Sequence, residues 1–342
     1  MWKVLERGLQ KTNIIILAVL LILVALVGGA LLELFHFAGT PGSSKTIEQF
    51  VTVPPGQGLK ATAADLYDRG IIRNAFKFNL YARIKGYDKK IKAGEYRVKP
   101  SNSPREILEI MVSGKVRLYK ITIPEGYNLV QIAHMMPGAG LGSTGEFLAA
   151  AKSKALAGEQ NIPGDSFEGY LFPDTYHYPK GVSPEKIIQT MVRRFREVFE
   201  PAWKVRARER KMTVHQVVTL ASIIEKETGA PSERPIISSV FHNRLKKNMR
   251  LASDPTVIYG IKDFDGNLTR KDLKTLTPYN TYKIKGLPPG PIANPGAKAI
   301  EAALYPADTD YLFFVSKRDG THQFSKTYPE HEKAVRKYQL RR

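Results

Sequence analysis

The chain has 342 residues, 43% of them hydrophobic and 10% aromatic, which suits two or three domains with packed cores and rules out wholesale disorder. It holds no cysteine, which excludes a disulfide framework, a zinc ribbon, an iron–sulfur cluster and a thiol nucleophile together. Lys and Arg number 52 against 32 Asp and Glu, and the resulting +20 calls for an anionic partner: nucleic acid, anionic lipid, or a polymer bearing carboxylates or phosphates.

Residues 12–32 carry no charge and Ile14–Leu32 no polar side chain, a run able to cross about 30 Å of hydrocarbon at about 1.5 Å per residue. Bulky Leu31, Leu32, Leu34 and Phe35 stand where a small-x-small cleavage site would be needed, so an uncleaved anchor at 12–33 is expected rather than a signal peptide. The tail, 1–11, sets Lys3, Arg7 and Lys11 against Glu6, and the positive-inside rule keeps it in the cytoplasm while the bulk of the chain is exported. With no organelle signal, the expected location is a bacterial inner membrane, single-pass, with the bulk in the extracytoplasmic space. Nucleic acid then drops out as a partner, and the membrane surface and the wall polymer remain.

Residues 34–48 read as a linker, turn-rich at 38–45 (AGTPGSSK). A strand at Phe50–Val53 follows, then helices over Lys60–Arg69 and Asn74–Lys85, a returning strand at Gly94–Val98, and a helix opened by Ser103-Pro104. This unit, 49–118, recurs. Residues 51–59 (VTVPPGQGL) match 121–129 (ITIPEGYNL), and 103–112 (SPREILEIMV) match 183–192 (SPEKIIQTMV) at five of ten positions. The offsets are 70 and 80, so the second copy, at 121–192, has gained about ten residues around Met136–Ala157. Its aromatic stretch Phe167–Tyr178 reads either as a β-hairpin whose Tyr and Phe fill a core or as a platform for sugar rings, with Glu168 and Asp174 available to hydroxyls.

The most informative segment is Thr213–Gly229. Thr213 and Gln216 form a capping box, and Gly229 with Pro231 marks the stop. At 100° per residue, Val214, Val217, Val218, Leu220, Ala221 and Ile224 share an arc of about 160°; Glu225 falls inside it, Lys226 on the polar side, and Glu227 at the rim. An acid at the C-terminal end of an apolar stripe is disfavoured as an anion by burial and by the helix dipole, which raises its pKa as a general acid requires. A structural Glu paired with a basic neighbour is the other reading. Farther on, Phe241–Leu245 closes a helix, Asp254-Pro255 caps a short one, Gly286–Ile292 (GLPPGPI) is a stiff loop able to wall a groove, and Asn294-Pro295 opens a helix to Leu304. Strands at Tyr311–Val315 and His322–Ser325 then form a hairpin before a last helix. The seven His show no metal-ligand spacing, and no phosphate-binding or nucleophile-elbow motif is present.

Taken together and in this order, the anchor, TLASIIEKET at 219–228, Asn243–Leu245 (NRL), DPTVIYG at 254–260, YNTY at 279–282 and GLPPG at 286–290 closely resemble the YceG-like family of endolytic murein transglycosylases. The resemblance implies an α+β protein with a transmembrane helix, a LysM-like module at 49–118 and a catalytic domain at 119–342. It implies an enzyme, a carbon–oxygen lyase that cuts nascent peptidoglycan between MurNAc and GlcNAc to leave 1,6-anhydro ends and stop elongation. Its catalytic acid would be Glu225, the first acid of EKET. Glu168, Asn243, Asp254, Asn280 and Tyr282 are candidates to bind or orient substrate. No cofactor and no metal are called for, and the expected partners are peptidoglycan strands, the membrane and, as candidates, peptidoglycan synthases. The competing expectation is a non-catalytic, membrane-tethered scaffold that holds glycan near a synthase.

Overall fold

A computed structural model describes residues 2–340, with side chains from Asn13 onward. The chain is mixed α+β and divides into two compact units, Met1–Leu118 with Pro179–Gly181, and Tyr119–Tyr178 with Val182–Arg342.

In the first unit the apolar run forms α1 (Trp2–Gly39), whose part Asn13–Gly39 is long and apolar enough to cross a membrane. Lys3, Glu6, Arg7 and Lys11, on which the expected orientation rests, lie outside the described side chains. The segment expected to be a linker starts as helix: residues 34–39 continue α1, because Leu34 and Ala38 are buried in the unit's core, and only 40–48 lack regular structure. There follow β1 (Gln49–Val53), α2 (Leu59–Asp68), α3 (Ala75–Ile84), β2 (Gly94–Val98) and α4 (Pro104–Ser113). Asn74 caps α3 through Lys77 N, and Ser103 with Glu106 boxes α4 with Pro104 at its first position. β1 and β2 pair antiparallel with Val51 opposite Tyr96, and the helices close over that ladder with Leu66, Phe78, Ile107, Leu108 and Met111.

The second unit opens with β3 (Leu118–Thr122), α5 (Leu129–Gly138), α6 (Thr144–Ala151), α7 (Lys154–Glu159), β4 (Thr175–Pro179) and α8 (Pro184–Val198), with β3 hydrogen-bonded to β4. The order strand, two helices, strand, helix is the same in both segments. The second has one more helix, in the stretch where the extra residues fall. Phe167–Tyr178 is not a hairpin: only its end is a strand, and that strand pairs back to β3. Its aromatic rings are core all the same, since Phe167, Tyr170, Phe172, Tyr176 and Tyr178 are buried and present no platform.

Next come α9 (Pro201–Glu209), α10 (Val214–Glu227), α11 (Arg234–Lys246), α12 (Asp254–Tyr259), α13 (Arg270–Lys274), α14 (Ala297–Leu304), the hairpin β5 (Phe313–Ser316) and β6 (His322–Ser325), and α15 (Tyr328–Val335). Several boundaries differ from expectation, β5 among them, which starts two residues after the expected Tyr311. Asp254 is the first residue of α12 and not its cap, which is Ser253, and α14 starts at Ala297 because Asn294 has bonds elsewhere. The capping box at Thr213 and Gln216 opens α10 as expected, but Thr228 is extended and ends the helix one residue before Gly229. α10 packs against α9, α11, α12 and α14, and every residue from Val217 to Ile224 is buried. The expected stripe is therefore a buried cylinder, whose polar members are satisfied locally: Thr219 Oγ1 donates to His215 O at 2.7 Å and Ser222 Oγ to Thr219 O at 2.7 Å.

Candidate active site

Glu225 is the first residue of α10 past this buried run, and its side chain is only 5% exposed. The carboxylate is held at both oxygens. Arg234 Nη2, from the first turn of α11, donates to Oε1 at 2.8 Å, and Gly296 N, at the start of α14, donates to Oε2 at 2.9 Å. Burial still lifts its carboxyl above the usual range; the Gly296 amide and Arg234 pull the other way, and the charge of Glu125 adds to the rise.

Glu168 is buried in the same unit. Its Oε2 accepts from Leu129 N at 3.2 Å and Tyr259 Oη at 3.1 Å, and its Oε1 from Asn294 Nδ2 at 3.2 Å. Desolvation pushes it up to about 7, against the Leu129 amide, the Tyr259 hydroxyl, the Gly169 amide and the charge of Lys152. One loop ties the two acids together, because Asn294 holds Glu168 while Gly296, two residues on, holds Glu225. Asn294 is fully buried: Oδ1 accepts from Leu171 N at 2.8 Å, Nδ2 also donates to Tyr127 O at 2.9 Å, and its carbonyl accepts from Gly126 N at 2.9 Å. The second copy of the repeat motif thus becomes a wall of the site.

Beside these acids opens a cavity of about 900 Å³ lined by Gly126, Asn128, Gln131, Lys152, Glu168, Lys226, Tyr259, Lys262 and Ile292 among others. Glu225 is not itself in that lining. Gly126 and Lys226 are, and a Cβ on Gly126 would lie 3.4 Å from Glu225 Cγ. The cavity offers ammonium groups, amides and a tyrosine ring, a set suited to the hydroxyls, amides and carboxylates of a sugar polymer.

The remaining candidates lie apart from Glu225. Asp254 Oδ1 accepts from Tyr282 Oη at 2.7 Å, next to Glu227, whose Oε1 accepts from Ser253 Oγ. Glu227, expected at the rim, is buried by that loop, and desolvation with the Asp254 charge raises it to about 7. Asn280 is fully buried: its Nδ2 faces three carbonyls, of Asp272, Leu273 and Thr275, and its Oδ1 accepts from Tyr282 N, so nothing is left for a ligand. Asn243 Nδ2 donates to Thr309 O at 2.7 Å and Tyr311 O at 3.0 Å, bracing the strand-bearing end of the unit. The Pro-rich loop does wall a hollow, of about 660 Å³, with Arg210, Lys246 and Lys285, and His215 Nε2 fastens it to α10 through Pro289 O at 3.0 Å.

Sequence reasoning missed Arg234, Asn294, Gly296 and Glu125. Only Glu125 leaves a readable trace, since the aligned position of the first repeat copy is Pro55.

Comparison with known proteins finds relatives along most of the chain. The YceG-like family model matches residues 51–337. An endolytic murein transglycosylase of Bacillus subtilis is 36% identical over 304 residues, 84% of this chain and 84% of the relative. One of Streptococcus pneumoniae is 29% identical over 323 residues, 84% of this chain but 58% of that protein, so the chain spans little more than half of the pneumococcal length. The crystal structure of a YceG-like protein from Listeria monocytogenes superposes with a TM-score of 0.59 at 36% identity, over 84% of this chain and 98% of that one. The match runs through both repeat copies, the Glu225 helix and the hairpin, and on it the chain belongs to the YceG-like family.

Proposed function

We propose that this chain is a membrane-anchored endolytic murein transglycosylase that cuts the MurNAc–GlcNAc bond within nascent peptidoglycan strands and so ends their elongation. The observation that carries the reading is Glu225: an almost fully buried carboxyl with raised proton affinity, flanked by residues of the 900 Å³ cavity, in a chain whose relatives are named for this activity. Protonated Glu225 gives its proton to the glycosidic oxygen as the C1–O bond breaks. The MurNAc 6-hydroxyl then attacks C1 and returns a proton to Glu225, leaving a 1,6-anhydro end without water. One residue serves as acid and then base, so a second catalytic carboxylate is not required. Between the two transfers Glu225 is an anion, which the Arg234 and Gly296 N–H groups are placed to support.

Glu168, Lys152, Lys226 and Tyr259 would meet the sugar chain from the cavity wall. Asp254 and Tyr282 would orient the far side through Glu227, and Asn243 and Asn280 would hold loops. α1 would cross a bacterial inner membrane with its N-terminus in the cytoplasm, and the module at 49–118 would be a LysM-like glycan holder close to wall synthases.

The test is mass spectrometry of glycan strands incubated with the full-length chain in detergent micelles. The wild type should generate new 1,6-anhydro ends, and Glu225→Gln should lose at least about 100-fold of that rate with its fold retained. Retention on glycan without cleavage would favour the scaffold; new reducing ends would indicate a hydrolase; an active Glu225→Gln would sink the assignment.

A further inference from the structure

Arg234 Nη2 serves two carboxylates. It lies 2.8 Å from Glu225 Oε1 and 3.6 Å from Glu125 Oε2, so a shift of under 1 Å exchanges one partner for the other. The two acids differ in surroundings: the Glu225 side chain is 5% exposed and that of Glu125 48%. Two independent features say that Glu125 is seated here for a reason. In the first repeat copy its place is taken by Pro55, so the acid belongs to the copy that walls the site. Its seat also exists only because residue 296 lacks a side chain, since a Cβ there would fall 1.9 Å from Glu125 Oε1. Gly296 therefore gives its N–H to one acid and the space of its missing side chain to the other.

An acid that must hold a proton in one step and shed it in the next poses a problem beside a fixed guanidinium. If Arg234 stayed on Glu225 it would favour the anion throughout and oppose the protonated form that starts the reaction. If Glu225 kept the proton with no other acceptor nearby, Arg234 would be a buried cation without a partner; its Nε is already buried with no hydrogen bond. We infer that Glu125 is a positioning residue for Glu225, taking the Arg234 guanidinium when Glu225 is protonated and yielding it when Glu225 is ionised. The inference rests on Glu225 being the catalytic acid. A further charge near Glu225 is Lys226 on the same helix, whose Nζ is directed to Gly126 O at 3.4 Å; α14 presents the Gly296 N–H, and α11 presents Arg234.

The experiment is the pH dependence of kcat for release of 1,6-anhydro ends by the full chain in micelles, wild type against Glu125→Gln, Glu125→Asp and Gly296→Ala. Glu125→Gln removes a negative charge and leaves Arg234 wholly to Glu225, so the limb that reports loss of the Glu225 proton should move about one unit lower, with kcat at neutral pH down about tenfold and KM little changed. Glu125→Asp should restore part of the loss. Gly296→Ala, which keeps the main-chain N–H but fills the seat, should shift the limb as Glu125→Gln does. A merely structural role would lower stability and leave the limb in place, and that result overturns the inference while an inactive Glu225→Gln leaves the assignment of Glu225 standing. Carbon-13 NMR titration of labelled Glu carboxyls reads the same shift without turnover. A Glu225 signal that titrates at the same pH in wild type and Glu125→Gln therefore overturns it even if glycan proves not to be the substrate.

Discussion

Glu225 was legible as a buried acid because helical periodicity at 100° per residue is enough to place one side chain on an apolar arc. Glu227 was not. It sits at the rim of α10 taken alone, and the loop carrying Ser253 and Asp254 is what buries it. Both Glu168 and Glu227 are lifted to about 7 from an ordinary 4.5. An acid whose folded pKa exceeds its unfolded one binds more protons when folded, so its stabilising contribution is complete below about 4.5 and is lost as pH rises through about 7. The full chain should therefore unfold at lower urea concentration at pH 8 than at pH 5, with a difference on the order of a few kcal/mol. Glu227→Gln, which keeps an acceptor for Ser253, should flatten that dependence. Arg234→Met removes one partner of a buried pair and should cost about 3 kcal/mol. It should also raise the pH at which Glu225 gives up its proton, the reverse of the Glu125→Gln effect, and a pH–rate profile beside a urea titration checks both.

Caps and turns carried most of the local structure. Thr213 with Gln216, Ser103 with Glu106, and Asn74 open their helices as the residues suggest, because each satisfies backbone N–H groups within a few positions. Where an element depends on a distant partner, local reading failed. Phe167–Tyr178 alternates as a hairpin would, yet β4 pairs with β3, and residues 167–173 are drawn against α10 and the Pro-rich loop. Gly169 shows the closeness of that approach: at φ +86°, a Cβ would fall 2.4 Å from Pro291 Cγ and 2.9 Å from Val218 Cγ1. Gly169→Ala should destabilise the second unit by about 3 kcal/mol, from overpacking and left-handed strain together. Because Glu168 is the preceding residue, activity measured well below the melting temperature should fall as well.

On the scale of the molecule, the apolar helix α1 is continuous with the core of the first unit, since Leu34 and Ala38 are buried after the apolar run has ended. A chain beginning at residue 31 should retain these contacts, and one beginning at residue 40 should lose about 2–3 kcal/mol in that unit, as hydrogen exchange in β1 and β2 would report. The +20 charge that first admitted several polyanions as partners now lies almost wholly in two exported units under the proposed topology, in contact with wall and membrane. The sequence by itself determined the long apolar N-terminal helix, the repeated order of elements, the cap of α10 and the burial of Glu225, all of which follow from contiguous patterns of hydropathy and turn chemistry. Tertiary structure alone decided which groups surround that acid. Arg234, Glu125 and Gly296 come from three separate segments, and a carboxyl takes its proton affinity from whatever stands within a few ångströms of it, irrespective of distance along the chain.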